Sequence, residues 1–164
     1  MRGLGLPYRH PAVLIGTFFG VGLVPFAPGT FGSLAALPVA WLLREFARRE
    51  GLALAWAILF AAGWWASSRI VESSRQNDPQ SIVIDEVTAE WLLLLAVPQS
   101  LIAYCLAFVF FRIFDIVKPP PARWIEKNVS GGLGVMLDDG IAAGYAFAVL
   151  MVIFFIDRAS GVLF

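Results

Sequence analysis

Charged residues, histidine and cysteine are all scarce in this chain of 164 residues. Only 15% of the residues are charged, and the twelve basic and twelve acidic side chains cancel to a net charge of zero. A nucleic-acid-binding surface is therefore not expected, because such a surface needs an excess of clustered basic residues. The single cysteine, Cys105, lies in an apolar run, which excludes an internal disulfide and CxxC metal sites. The single histidine, His10, excludes enzyme sites built on several histidines.

Apolar residues, in contrast, are abundant. They make up 59% of the chain, which contains six Trp and fourteen Phe. A small domain leaves much of its surface exposed, so this much apolar surface is better explained by contact with lipid than by one buried core. The composition predicts an all-α, polytopic helical integral membrane protein with a single membrane-embedded domain over residues 1–164. We expect about four to five membrane helices plus short re-entrant or interfacial helices.

The apolar runs predict where these helices lie. A membrane-crossing helix needs about 20 mostly apolar residues, and proline, glycine and charged clusters mark the breaks between such helices. Arg44, Arg48 and Arg49 are interpreted as an interfacial charge run, and the short amphipathic segment Ala122–Val129 suits the membrane surface. The expected apolar segments are Ala12–Val24, a helix near Phe31–Phe46, Leu52 to about Ser74, a short helix at about 86–97, a helix at about 100–117, and Leu137–Ile156.

Acidic residues gather at the predicted helix ends on one side. Threading the helices in order puts the turn Pro25–Thr30 on the same side as segments 76–85 and 118–139. Placing a charged side chain at membrane depth costs about 2.5–3.5 kcal/mol, so such residues usually have a partner or a function. Carboxylates clustered in oxygen-rich surroundings suit a hard cation such as Mg²⁺. The acids on this side are Asp78, Asp85, Glu86, Asp115, Asp138 and Asp139, and Glu90 follows Glu86 by one turn on the same helix face.

Other interpretations of these polar residues remain open. Asp85 or Asp138 alone could be a helix cap, and Arg112 with Asp115 could be an ion pair at the membrane surface. A small transporter or channel component could use intramembrane carboxylates for ion or proton passage, although acids at helix ends favour this less than acids at the midplane. In the turn before the second helix, Thr30 is a candidate N-cap, and Gly29 and Gly32 would let the backbone approach a phosphate.

Four sequence motifs at these same places resemble the phosphatidylglycerophosphatase A family. The resemblance implies a Mg²⁺-dependent lipid phosphatase that converts phosphatidylglycerophosphate to phosphatidylglycerol and phosphate in phospholipid biosynthesis. It also implies a multi-pass protein of the bacterial inner membrane with its active site on the cytoplasmic side. The motifs are Pro25-Phe-Ala-Pro-Gly-Thr-Phe-Gly-Ser-Leu34, Asp78-Pro79 with Ile82-Val-Ile-Asp-Glu86, Phe111-Arg-Ile-Phe-Asp-Ile-Val-Lys-Pro119, and Gly131-Gly-Leu-Gly-Val-Met-Leu-Asp-Asp139 with Ala143-Gly144.

The resemblance also implies roles for individual residues. The metal ligands would be Asp85, Glu86, Asp138 and Asp139. Asp85, Glu86, Asp115 and Lys118 would be catalytic, with Asp115 positioning water or orienting Lys118. Arg112 and Lys118 would neutralise the substrate phosphate, and Thr30 with Ser33 would donate hydrogen bonds to its oxygens. Asp78 and Glu90 are possible additional site residues; Ala89-Glu90 stands where the family usually has a glycine before the tryptophan region. The phospholipid and the bilayer are the expected partners, and the sequence indicates no oligomeric state.

Overall fold

The fold is built from helices, as expected for an all-α protein. The computed structural model describes residues 4–76 and 79–160, and within these ranges it contains helices and loops but no strand. The 3₁₀ helix at Val21–Leu23 joins α1 to α2. The α-helices are α1 (Pro11–Gly16), α2 (Pro28–Ser74), α3 (Ile84–Ala96), α4 (Leu101–Val117), α5 (Ala122–Asn128) and α6 (Gly132–Ser160).

Helix α2 contains two of the expected helices, separated at Arg48. Arg48 has φ 58° and ψ −168°, which is not helical, so the helix is interrupted there. Before this break, Ala36 accepts a hydrogen bond from Trp91 and Leu94 accepts one from Arg44, so the segment 28–47 runs parallel to α3. After it, Trp56 donates to Thr88, and Gly63 packs on Ile84, nearer the start of α3. The segment 49–74 therefore runs antiparallel to α3, and α2 is a helical hairpin.

The first turn of α2 differs from the sequence prediction. The helix begins at Pro28 with Ala27 as its N-cap, so the prediction that Thr30 is the N-cap is wrong. Proline suits the first helical position because its fixed φ is already helical and it has no N–H to leave unpaired. Thr30 consequently lies inside the first turn, and Gly29 is the second residue of the helix.

Helix α6 begins five residues before the predicted start at Leu137. Gly131 has φ +85°, a conformation that glycine adopts without strain, and it precedes the first turn. A Cβ at Gly132 would collide with Ser68, and one at Gly134 would collide with Val129, so both glycines allow close backbone packing. As a result, Asp138 and Asp139 lie nearly two turns inside α6, and not at its start as expected.

Helix α3 lies at the centre of the molecule, packed between α2 and α6. Helices α4 and α5 pack on α6, and α1 packs on α2. The fully buried side chains include Ile84, Val87 and Leu94 of α3, Phe111 of α4 and Leu150 of α6. Because α3 is only thirteen residues long and is covered by its neighbours, its first turn is fixed relative to α2, α4 and α6.

Two helices among the described residues are long and apolar enough to cross a membrane. They are α2 and the part of α6 from Gly132 to Arg158. Large apolar side chains also face outward: Phe46 is 84% exposed and Phe155 is 79% exposed. Such surface is typical of a protein that contacts lipid. The expected count of four to five membrane helices is not confirmed by these two.

Candidate functional site

A polar pocket of about 320 Å³ forms where α2 and α3 begin, α4 ends and α6 passes. Three of the four sequence motifs contribute the acids and bases that were predicted to share one side, and the first motif contributes Ala27, Pro28 and Gly29. The described residues that line it are Ala27, Pro28, Gly29, Gln80, Ile82, Asp85, Glu86, Arg112, Asp115, Lys118, Asp138 and Asp139.

Three carboxylates converge in this pocket. Asp85, Glu86 and Asp139 each offer an oxygen, and these oxygens all lie within 4.8 Å of one another. Oε2 of Glu86 and Oδ2 of Asp139 are buried and accept no hydrogen bond from the described residues. Anions that are buried so close together repel one another and need a compensating cation. An all-oxygen set of this size fits a hard divalent cation such as Mg²⁺.

The crowding of charge changes the acidity of Glu86, which lies on α3, outside the two candidate membrane spans. Burial is the largest cause and raises the pKa of Glu86 from 4.5 to about 7. A hydrogen bond with Asp85 opposes the rise, the Asp115 carboxylate adds to it, and the Arg112 guanidinium opposes it. A bound cation would favour the ionised form, because positive charge next to a carboxylate stabilises its anion.

Two basic side chains stand beside the carboxylates, each in an ion pair. Nζ of Lys118 lies 2.6 Å from Oδ2 of Asp138. Nη1 of Arg112 lies 2.6 Å from Oδ2 of Asp115 and 3.9 Å from Oε1 of Glu86. Both cations line the pocket and are mostly buried, so they could bind an anionic group there with little competition from solvent. The arrangement offers a divalent-cation site next to a phosphate-binding site.

Asp138 lines the pocket, but its contacts differ from those of the other acids. Besides its pair with Lys118, its Oδ1 accepts the backbone N–H of Asp139 at 3.0 Å. These contacts fix the orientation of both acids on α6. A ligand role for Asp138 stays a prediction, as do the catalytic and metal-binding roles of the converging acids and of Asp115.

The glycines and hydroxyls of the first motif pack against α3. A Cβ at Gly29 would collide with the Glu86 carboxylate, and one at Gly32 would lie 2.8 Å from Cβ of Val83. The buried hydroxyl of Ser33 donates to the carbonyl oxygen of Gly29 at 3.0 Å and lies 3.5 Å from Nη1 of Arg112. Ser33 and Thr30 are not among the described residues that line the pocket, so their donation to phosphate stays a prediction.

The two additional candidates have different outcomes. Asp78 lies outside the described residues. Glu90 is fully buried one turn after Glu86, and it does not belong to the described lining of the pocket. Its two carboxylate oxygens accept no hydrogen bond from the described residues. Burial raises the pKa of Glu90, and the positive charge of Arg112 opposes the rise.

Four lining residues had no site role in the sequence prediction: Ala27, Pro28, Gln80 and Ile82. Gln80 lies between Asp78-Pro79 and Ile82-Val-Ile-Asp-Glu86, the two parts of the second motif, so its position was a usable signal. Ala27 has φ 44°, a left-handed conformation that alanine rarely adopts, and the sequence carried no sign of it. This strained residue sits where the chain enters α2 beside the pocket.

Comparison with known proteins agrees with this geometry. Residues 14–154 match the family described as Phosphatidylglycerophosphatase A. A Bacteroides thetaiotaomicron protein with the provisional name phosphatidylinositol-3-phosphatase is 45% identical, over 85% of this chain and 91% of the relative. The protein named Phosphatidylglycerophosphatase A from Escherichia coli K12 is 37% identical, over 88% of this chain and 84% of that protein.

A third relative extends the comparison. The Haemophilus influenzae protein named Phosphatidylglycerophosphatase A is 34% identical, over 88% of this chain and 89% of the relative. No solved structure shows significant similarity to the chain. The match covers the motifs that build the pocket and most of the helices around it. The chain belongs to the phosphatidylglycerophosphatase A family and is a membrane protein with phosphatase activity, a phosphoric monoester hydrolase.

Proposed function

We propose that this protein hydrolyses phosphatidylglycerophosphate to phosphatidylglycerol and phosphate, with Mg²⁺, in phospholipid biosynthesis. The main observation in support is the pocket in which oxygens of Asp85, Glu86 and Asp139 lie within 4.8 Å of one another. Lys118 and Arg112 line the same pocket, so a cation site and a phosphate site adjoin. The names of the Escherichia coli and Haemophilus influenzae relatives support the substrate.

In this proposal Asp85, Glu86 and Asp139 hold the Mg²⁺ ion, with Asp138 as a further ligand. When bound, Mg²⁺ supplies positive charge that stabilises the phosphate oxygens as the ester bond breaks. Arg112 presents a planar set of donors that matches two phosphate oxygens, and Lys118 adds a point charge. These contacts bind the anionic head group and orient its phosphorus toward the carboxylates.

The ion pairs position these bases. Asp115 holds Arg112 at 2.6 Å, and Asp138 holds Lys118 at the same distance, so both cations are oriented before substrate binds. Such preorganisation lowers the barrier, because the groups need not reorganise as charge develops. In the net reaction the bond between phosphorus and the glycerol oxygen breaks, that oxygen takes a proton, and phosphorus gains the oxygen of water. In this proposal Asp115 also positions the water.

The site is proposed to work at the cytoplasmic side of the bacterial inner membrane in a multi-pass protein. The reversal of α2 at Arg48 supports more than one crossing, because segments 28–47 and 49–74 run in opposite directions along α3. The pocket lies at the helix ends, where a lipid phosphate at the membrane surface could enter it.

A second candidate substrate is phosphatidylinositol 3-phosphate. The Bacteroides thetaiotaomicron relative, 45% identical to this chain, carries a provisional name for that activity. Both candidates are phosphate monoesters on a phospholipid head group, so the same cation and phosphate sites serve either. They differ in the head group that carries the phosphate, the glycerol of phosphatidylglycerol or the inositol of phosphatidylinositol.

Phosphate release from purified protein tests the proposal. The substrates are phosphatidylglycerophosphate, phosphatidylinositol 3-phosphate, phosphatidic acid and lysophosphatidic acid, each with Mg²⁺ and with EDTA. We expect Mg²⁺-dependent release that is fastest from phosphatidylglycerophosphate. Fastest release from phosphatidylinositol 3-phosphate would move the assignment to the second candidate. Equal release with EDTA would reject the metal, and ion transport without hydrolysis of any lipid would reject the enzyme in favour of a transporter.

A further inference from the structure

We propose that an apolar groove between α3 and α6 holds an acyl chain of the phospholipid substrate, an inference that rests on the proposed function. The groove has a volume of about 260 Å³. Leu92 and Phe147 are 41% and 40% exposed, so the groove opens at the outer surface of the helices. Its described lining contains no charged residue and consists of Leu92, Leu93 and Ala96 of α3 with Gly140, Ala143, Gly144 and Phe147 of α6.

The groove begins next to Asp139 and continues along α3 and α6 away from the polar pocket. Leu92 and Ala96 come seven and eleven residues after Asp85, spacings that return to one face of a helix. Ala143 comes four residues after Asp139, which again is the same face. At about 1.5 Å per residue, the lining begins about 1.5 Å beyond Asp139, at Gly140, and ends about 16 Å beyond Asp85, at Ala96. The polar pocket and the groove are therefore adjacent along α3 and α6.

Two glycines keep the groove open. A Cβ built at Gly140 or Gly144 would have no heavy atom within 4 Å, whereas one at Gly132 or Gly134 of the same helix would collide with its neighbours. Glycine inside a helix is destabilising relative to alanine, so its presence usually has a packing reason. Within the described chain nothing packs on these two glycines, and their effect is to widen the groove.

The shape and charge of the groove favour an acyl chain over a second copy of the protein. Glycines four residues apart also mark helix pairing in membranes. A helix with its side chains is about 10 Å wide, however, and a volume of about 260 Å³ is too small for even one turn of such a helix. A segment of hydrocarbon chain needs less volume and fits the groove. The basic groups Lys118 and Arg112 at the polar level match a phosphate, and the uncharged groove beyond matches hydrocarbon, so together they complement the two ends of one phospholipid.

Photochemical labelling of the full-length protein in phosphatidylcholine nanodiscs tests the groove. The probe is phosphatidylglycerophosphate with a photoreactive group in the middle of one acyl chain, and the matched probe is phosphatidylcholine with the same chain. Mass spectrometry should locate adducts at Leu92 and Phe147, at least about fivefold more from the phosphate monoester. Gly144→Leu fills the groove and should reduce these adducts about tenfold, the effect of displacing about two methylene groups. Ala61→Leu, on an exposed face of α2, should leave them unchanged.

Two outcomes would overturn the inference. Equal adducts from both probes would show that bulk lipid fills the groove. Absence of adducts, with Gly144→Leu converting a dimer to a monomer, would assign the groove to a second copy. Labelling does not depend on turnover, so the two proposals can fail separately. Adducts without phosphate release from any lipid would reject the proposed hydrolysis and keep the lipid site. Phosphate release without adducts would keep the hydrolysis and reject the lipid site.

Discussion

Lys118 and Asp138 join the end of α4 to α6 through a contact of 2.6 Å between Nζ and Oδ2. Lys118 is the C-cap of α4 and has φ 44°, a left-handed conformation that ends the helix and turns its side chain into the pocket. The pair therefore holds the positively charged ammonium group of Lys118 beside the three converging carboxylates. The sequence placed both residues on one side but did not predict that they pair with each other.

Removal of the Lys118 charge tests its role in phosphate binding. We expect Lys118→Met to lower kcat/KM by about 100-fold, the usual cost of losing one preorganised donor to a charged transition state. Arg123→Gln is the matched control, because Arg123 is exposed and donates to the carbonyl oxygen of Val117. We expect that variant to change kcat/KM by less than about threefold. Phosphate release and the Tm of each variant are measured together; a loss that merely follows a lower Tm would contradict a direct role.

The contact between Gly29 and Glu86 gives a second prediction. In Gly29→Ala the new Cβ collides with the Glu86 carboxylate, which must move, so we expect a weaker apparent affinity for Mg²⁺ and at least about a tenfold lower rate. Titration of the rate with Mg²⁺ measures both effects.

Gly32→Ala is the comparison variant for this change. Its Cβ would lie 2.8 Å from Cβ of Val83, so it should cost about 1–3 kcal/mol of stability without changing the Mg²⁺ requirement. The same Mg²⁺ dependence in both glycine variants would contradict a specific effect at Glu86.

Arg44 provides a stability prediction away from the site. Its Nη1 donates to the carbonyl oxygens of Leu94 and Val97 at 2.9 Å and 2.8 Å, which caps the end of α3. Arg44→Ala should lower the free energy of unfolding by about 1.5–3 kcal/mol, because two partly buried carbonyl oxygens lose a charged donor. The exposed Arg49→Ala should change it by less than about 0.5 kcal/mol. Thermal unfolding in detergent gives both values, and equal Tm shifts would contradict the capping role.

The sequence predicted the helices better than their ends. Apolar runs located α3 and α4 to within about two residues, since length and hydrophobicity decide such elements. The start of α6 was wrong because its glycines are fixed by packing against Ser68 and Val129, which no local pattern reveals. The interpretation of Arg44 as interfacial charge alone was also wrong, because Arg44 donates to carbonyl oxygens at the end of α3. The sequence did not reveal these contacts, since the partners lie 50 and 53 residues away.

The sequence predicted most of the acids and bases that meet in the pocket, but neither their pairings nor the absence of Thr30 and Ser33 from its described lining. Carboxylates close to the membrane must find compensation, so the sequence predicted their convergence, although Asp138 and Asp139 lie nearly two turns inside α6 and not at its start. Which acid faces a cation and which faces another acid depends on side-chain direction from packed helices. Asp138 pairs with Lys118, whereas Asp139, the next residue on α6, turns toward Asp85 and Glu86.

The most direct test of the metal site is cation binding to the purified protein. Mn²⁺ serves as a paramagnetic substitute for Mg²⁺, and its binding is followed by electron paramagnetic resonance with Mg²⁺ as competitor. The account predicts that Asp85→Asn and Asp139→Asn bind Mn²⁺ at least about tenfold more weakly and lose turnover while remaining folded. Glu50→Gln, which changes an exposed acid far along α2, should bind as the unaltered protein does. Unchanged Mn²⁺ affinity and turnover in both Asp variants would contradict the claim that these carboxylates hold the ion.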